Sequence, residues 1–120
     1  MNLVTDKNNF ASGVLIRAVE IENENERIAS GPGLVTRNLQ VDLIFNSLKS
    51  YDNQYLRIYD IGLRFNEEDI IKTTRIGITK ARELKWRWYL KNSRSISKRA
   101  KGDKNPSKKS VKELLLEKDQ

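Results

Sequence analysis

The stretch Val14-Leu15-Ile16-Arg17-Ala18-Val19-Glu20-Ile21 sets six apolar residues, four of them β-branched, in eight positions. That length and composition predict a strand buried on both faces, because β-branched side chains fit a covered, pleated surface. Arg17 sits in the middle of it. A guanidinium in a buried strand needs a partner or a water-filled site, since unpaired burial of a charge is costly. A chain of 120 residues fits one domain with a modest core, so covering this run is its main folding task.

The segments around the run read more simply. Residues 1–12 are mostly polar and predict a loop. Glu20, Glu22, Glu24 and Glu26, the last three interleaved with Asn23 and Asn25, predict a solvated strand end and loop. Ser30-Gly31-Pro32-Gly33 predicts a helix start: Ser30 or Gly31 can cap it, and Pro32 suits a first turn whose N–H has no partner. Most such sequences are caps and not phosphate sites, and this one is read as a cap. Val41, Ile44, Phe45 and Leu48 fall at i, i+3, i+4 and i+7, which predicts a second short helix before Asp52-Asn53.

In the second half, a strand is expected around residues 55–61, with a turn at Asp60-Ile61-Gly62. Residues 66–69 suit one helical turn. Thr73, Thr74, Ile76 and Ile78 read as a strand carrying Gly77, and residues 86–90 as a final strand. Residues 98–110 are basic, poor in large apolar side chains and broken by Gly102 and Pro106, which predicts no fixed structure. Ser110-Val111-Lys112-Glu113 has the spacing of a capping box, and Leu114, Leu115 and Leu116 follow it. A short terminal helix is expected there, marginal in water on its own. There is no internal repeat.

Composition excludes several chemistries. With no cysteine and no histidine there are no disulfides, thiol nucleophiles, imidazole acid–base groups or ordinary Cys/His zinc sites. No apolar run is long enough to cross a bilayer, and no export signal is recognisable, so an intracellular, soluble protein without cofactor is expected.

The net charge of +7 is unevenly spread. Residues 72–112 hold 15 Lys/Arg against two acids, Glu83 and Asp103, whereas residues 1–71 hold 7 Lys/Arg against 11 acids. A basic half joined to a mildly acidic one predicts a face that meets phosphates. Lys80, Arg82, Lys85, Lys91 and Arg94 favour nucleic acid collectively, though each alone reads as a solvated charge. Trp86, Trp88 and Tyr89 with Arg87 have the makings of a base-stacking platform, but alternate rings on a strand are more often core, and that reading is preferred.

Several of these segments, taken in order, resemble one family. Met1-Asn2-Leu3 with Ala11-Ser12-Gly13-Val14-Leu15-Ile16-Arg17-Ala18-Val19-Glu20 resembles the central strand region of the 3-methyladenine (alkylbase) DNA glycosylases. Ser30-Gly31-Pro32-Gly33-Leu34 with Asn38-Leu39 resembles that family's helix start. Arg75-Ile76-Gly77-Ile78-Thr79-Lys80-Ala81 is similar to its Arg-hydrophobic-Gly-hydrophobic strand, and Trp86-Arg87-Trp88-Tyr89-Leu90 with residues 93–97 to its terminal strand and closing loop. The resemblance covers roughly residues 1–97 and is specific through order and spacing, each piece being weak alone.

The resemblance implies base-excision repair of DNA. Such enzymes flip a damaged base, especially an alkylated purine, out of the duplex and hydrolyse its glycosidic bond with water. It implies that Arg17 helps hold the attacking water, that Asn2 discriminates against the exocyclic amine of guanine, and that the backbone at Ile76 positions the water. Gly77 would approach the target phosphate, with Arg75, Lys80, Arg82 and Lys85 as further DNA contacts. The family's catalytic glutamate lies in a Glu-x-Glu-Ala-Tyr stretch upstream of everything matched, and no such stretch occurs here. The chain is therefore expected to start at an internal methionine, as the C-terminal portion of such an enzyme, and to be inactive alone.

The expected fold is α+β: a small mixed, mostly antiparallel sheet with short helices, as in the C-terminal part of the glycosylase (formyltransferase C-terminal-like) fold. Residues 1–97 would form that part, and residues 98–120 a basic tail. Damaged duplex DNA is the expected partner, together with a separately encoded N-terminal half in a complementation reading. The expected location is the cytoplasm and nucleoid. The alternative is a non-catalytic basic DNA- or RNA-binding module.

Overall fold

The computed structural model describes residues 1–5, 12–46, 48–49 and 54–106. It is a small α+β chain of two compact units, Met1–Leu63 and Arg64–Gln120, each with one two-stranded antiparallel sheet. Among the described residues, no helix is long and apolar enough to cross a membrane.

In the first unit, β1 (Asn2–Val4) pairs with β2 (Gly13–Leu15) in the register Asn2↔Leu15, Leu3↔Val14 and Val4↔Gly13. Backbone bonds from Ile16 N to Met1 O (2.9 Å) and from Thr5 N to Ser12 O (3.3 Å) extend the ribbon at both ends. A Cβ on Gly13 would lie 3.2 Å from the Leu3 carbonyl oxygen, so the ribbon favours glycine there. This differs from expectation twice. Asn2–Val4 is strand, where a loop was expected, and the apolar run pairs only through Leu15. Val4, Val14 and Leu15 are exposed, because the ribbon has no third strand or covering layer among the described residues.

The chain then turns through Asn23 (φ 63°) and an Asn25 turn, whose side chain accepts from Arg27 N at 2.8 Å. It enters α1 (Pro32–Asn38), with Gly31 as N-cap and Pro32 first in the helix, as the sequence predicts. Ala29 and Ser30 are buried beside fully buried Val35. Asn38 Nδ2 reaches back to the carbonyls of Ile28 and Leu34, each at 2.8 Å.

The helix closes in a Schellman motif: Gln40, at φ 54°, donates to Arg37 O, and Val41 donates to Thr36 O. The helix expected from residue 41 is only a single 3₁₀ turn, Leu43–Phe45. Asp42 caps it through a bond from Ile44 N, and Asn46 leaves it in an extended conformation. Phe45 meets the ring of Tyr55 edge-on at 6.5 Å, beside an open apolar hollow of about 250 Å³ that Ile44 and Leu48 also line. The strand expected around residues 55–61 is absent among the described residues 54–61. The turn at Gly62 (φ 81°) is present, with its N–H bonded to Asp60 Oδ1 at 2.8 Å.

In the second unit, the helical turn predicted at residues 66–69 is a 3₁₀ turn, Glu67–Asp69. It leads into β3 (Ile70–Thr73), which pairs with β4 (Arg87–Leu90) in the register Ile70↔Leu90, Ile71↔Tyr89, Lys72↔Trp88 and Thr73↔Arg87. The final strand lies where expected. The strand expected across Thr73 to Ile78 instead ends at Thr73, and the loop that follows turns through Gly77 at φ 71° and Ala81 at φ 52°.

Period-2 alternation gives the ribbon two unlike faces. One carries Ile71, Thr73, Arg87 and buried Tyr89; the other carries Ile70, Lys72, Trp88 and Leu90. Residues 98–106 carry contacts that the sequence does not announce. The Tyr89 hydroxyl donates to Asp103 Oδ2 at 2.5 Å and accepts from Ala100 N at 2.9 Å. Arg99 bonds Asp103 Oδ2 (2.9 Å) and the carbonyls of Ser93 (2.6 Å) and Lys91. The terminal helix predicted from Ser110 lies outside the described residues.

Candidate functional site

The expected site residues fall into two groups, one in each unit. In the first unit, Met1 O accepts from Ile16 N, so Asn2 and Arg17 stand at the same end of the β1–β2 ribbon. Arg17 lies two residues beyond Leu15, the partner of Asn2, and past the end of β2. Arg17 is half-buried and Asn2 exposed. Arg17 thus stands just beyond a ribbon end and not within a covered strand.

In the second unit, the loop between β3 and β4 carries Arg75, Ile76, Gly77, Lys80, Arg82 and Lys85. Arg75 organises it. Its Nη2 donates to the carbonyls of Lys80 and Ala81, both at 3.1 Å, and its guanidinium lies 5.2 Å from the Trp86 ring centroid. Arg75 Nε is buried without a partner. Gly77 owes its identity to its positive φ, since a Cβ there would meet nothing within 4 Å. Ile76 is half-buried, while Gly77, Lys80, Arg82 and Lys85 are exposed around the loop. The loop thus offers backbone and three exposed cations on one short, tied segment, an arrangement suited to phosphate.

Below the loop, Arg87 holds the base of the ribbon. Its Nε donates to Thr74 O and its Nη1 to Lys98 O, both at 2.7 Å, while its guanidinium lies 5.5 Å from the Tyr89 ring. The Arg99 guanidinium lies 5.1 Å from the same ring. Burial first, and then the hydrogen bond to Asp103, raise the Tyr89 phenol above its ordinary range.

Sequence reasoning preferred a core role for the aromatic residues at 86–89, and the structure divides them. Tyr89 is 8% exposed, but Trp86 and Trp88 are 57% and 56% exposed. Lys72 did not stand out in the sequence. Only the register, which sets it opposite Trp88 with Nζ 5.7 Å from the ring centroid, brings it to that surface.

Residues 1–94 match the family model described as methylpurine-DNA glycosylase. Proteins whose names carry the words 3-methyladenine DNA glycosylase are similar to this chain. The one from Trichodesmium erythraeum is 36% identical over 115 residues, covering 82% of this chain and 57% of its own length. That from Synechococcus elongatus is 35% identical over 103 residues, covering 82% and 50%. That from Carboxydothermus hydrogenoformans is 37% identical over 111 residues, covering 82% and 57%. The chain spans about half the length of the curated relatives it matches. No solved structure matches it.

Proposed function

This chain belongs to the methylpurine-DNA glycosylase family, and from that premise we propose that residues 1–97 supply the water-holding and DNA-backbone side of an alkylbase-excision site. The observation that carries the reading is the position of Arg17 and Asn2 at one end of the β1–β2 ribbon. Arg17 holds the attacking water by donating to its oxygen, and Asn2 reads the exocyclic edge of the extruded purine. The Ile76 backbone is assigned a water-positioning role in the same reading. Gly77, Arg75, Lys80, Arg82 and Lys85 lie along the phosphates of the flipped nucleotide, a base outside the stack being the form that water can reach. The complete fold in this proposal is that of the glycosylases (formyltransferase C-terminal-like), with residues 98–120 as a basic tail and the cytoplasm and nucleoid as the place of work.

The carboxylate that takes the water's proton is not among these 120 residues, which contain no Glu-x-Glu-Ala-Tyr stretch. In this proposal it comes from a preceding or separately encoded half. Exposed Val4, Leu43 and Ile61 in the first unit agree with apolar surface meant for such a partner. General-base help is typically worth about 10²–10⁴-fold, so the 120 residues alone release no alkylated base.

The test is incubation of the purified chain with duplexes containing 3-methyladenine or hypoxanthine, with and without the N-terminal half of a relative. Excision by the chain alone, or none even when both halves are present, counts against the proposal. Duplex binding completes it. Preference for an abasic-site analogue over intact duplex supports a glycosylase surface. Equal, steeply salt-dependent binding supports the alternative, a non-catalytic basic DNA- or RNA-binding module, which the cation-rich stretch of residues 72–112 favours.

A further inference from the structure

The face of the β3–β4 ribbon opposite Tyr89 carries half-exposed Trp88, and half-exposed Trp86 stands in the loop just before β4, each with a cation on its ring. Lys72 Nζ lies 5.7 Å from the Trp88 centroid and the Arg75 guanidinium 5.2 Å from the Trp86 centroid. We propose that this face binds single-stranded nucleic acid, with unpaired bases stacking on Trp86 and Trp88 and phosphates running beside Lys72 and the loop cations. It needs neither a lesion nor the excision chemistry, and so stands apart from the family reading.

Three observations favour this occupant. The first is the chemistry of the rings. A cation on one side of an indole leaves the rest of a half-exposed ring available, and base–aromatic stacking with added cation–π attraction is how sequence-tolerant strand binding is built.

The second is charge. Between Ile70 and Leu90 there are six Lys/Arg and one acid, Glu83, which suits a polyanion and not an apolar protein face.

The third is spacing. Trp86 and Trp88 flank Arg87, the first residue of β4, whose extended backbone sets their Cα atoms ~6.6–6.8 Å apart. Neighbouring bases in a duplex are ~3.4 Å apart. Consecutive bases can meet these two rings only after unstacking, which a single strand does and an intact duplex does not.

These are the only two tryptophans in the chain, so tryptophan emission, excited beyond the tyrosine band, reports on these two rings alone. The full chain is titrated with a short oligodeoxythymidylate and, separately, with an oligomer of the same length made of abasic sugar-phosphates. The expected result is saturable quenching by the first, and weaker binding with little quenching by the second. Trp86→Leu and Trp88→Leu each keep the other ring as reporter and lower the affinity by about 5- to 140-fold. Equal quenching by the abasic oligomer overturns the proposal, as does oligothymidylate binding that leaves tryptophan emission unchanged. The wild-type comparison of the two oligomers needs no variant, so misfolding of a leucine variant cannot obscure the answer. Lesion-dependent binding of duplex DNA that survives both leucine substitutions would leave the excision reading standing while this one is judged on the single strand.

Discussion

Tyr89 and Asp103, fourteen residues apart, are joined by a 2.5 Å hydrogen bond that ties the basic segment after β4 to the buried face of the β3–β4 ribbon. The same hydroxyl accepts from Ala100 N, so one oxygen serves two partners on that segment. Removing it in Tyr89→Phe leaves the Ala100 N–H without its partner and Asp103 Oδ2 with Arg99 alone, and is expected to cost about 1–3 kcal/mol. Chemical denaturation of the two proteins side by side measures the difference.

That stabilisation should vanish in alkali. The phenol's folded-state pKa is raised above its ordinary value of 10.0, by burial and then by Asp103. The contribution is therefore complete below about pH 10 and is lost as pH rises through the raised folded value. The stability gap between the wild type and Tyr89→Phe should hold steady to about pH 10 and narrow above it. A gap unchanged well into alkali would show that the phenol does not titrate as described.

Arg99 is the other half of the latch, with bonds to Asp103, Ser93 O and Lys91 O around the Tyr89 ring. A lysine keeps the charge but not the planar fork that makes these bonds together. Arg99→Lys is expected to speed exchange of the Ala100 and Asp103 amides almost as much as Arg99→Ala does. Hydrogen exchange read at those two amides decides it. Full protection in the lysine variant would mean that charge alone holds the segment.

Gln40 closes α1 in a left-handed conformation (φ 54°) that glycine adopts without strain. Gln40→Gly should raise stability by about 0.5–1 kcal/mol, the relief of the left-handed backbone being partly offset by greater freedom of the unfolded chain. A fall in the thermal midpoint would indicate that the Gln40 side chain is needed.

Gly77 gives the converse case. At φ 71° with open space around it, Gly77→Val should cost about 1–2 kcal/mol from backbone strain alone. In the functional proposal it should also weaken DNA binding, by disturbing the Arg75-tied loop. Circular dichroism and a duplex titration on one preparation separate the two effects.

The elements legible in the sequence were those whose signals are local. Gly31 and Pro32 mark the start of α1, and Trp86 to Leu90 announces β4. The 3₁₀ turn before β3 was visible in its acidic run. Where local signals compete, the reading slipped. The helical spacing from Val41 to Leu48 yields one 3₁₀ turn because Asn46 leaves it extended. The β-prone residues from Thr73 to Ile78 surround Gly77, which takes a positive φ that a strand does not use, and the ladder falls instead on Ile70–Thr73.

For the candidate site, the sequence offers candidate residues but not their surroundings. Arg17 was expected inside a covered strand and stands at a ribbon end, since the pairing of Asn2–Val4 was not visible in a mostly polar segment. Lys72 and Trp88 become neighbours only through cross-strand register, which depends on a loop of thirteen intervening residues, 74–86, and not on any local pattern.

That register also says which changes of length this part of the chain can absorb. Opposite β3, Trp88 and Tyr89 are assigned to opposite faces by parity alone. Adding or deleting residues within 74–86 alters how far the cationic loop reaches, and each added residue costs little in closure entropy. Shifting the strand pairing by a single position would turn Tyr89 out to water and Trp88 in toward Asp103. Insertions in descendants of this sequence should therefore collect in the loop, while Ile70–Thr73 and Arg87–Leu90 keep their count.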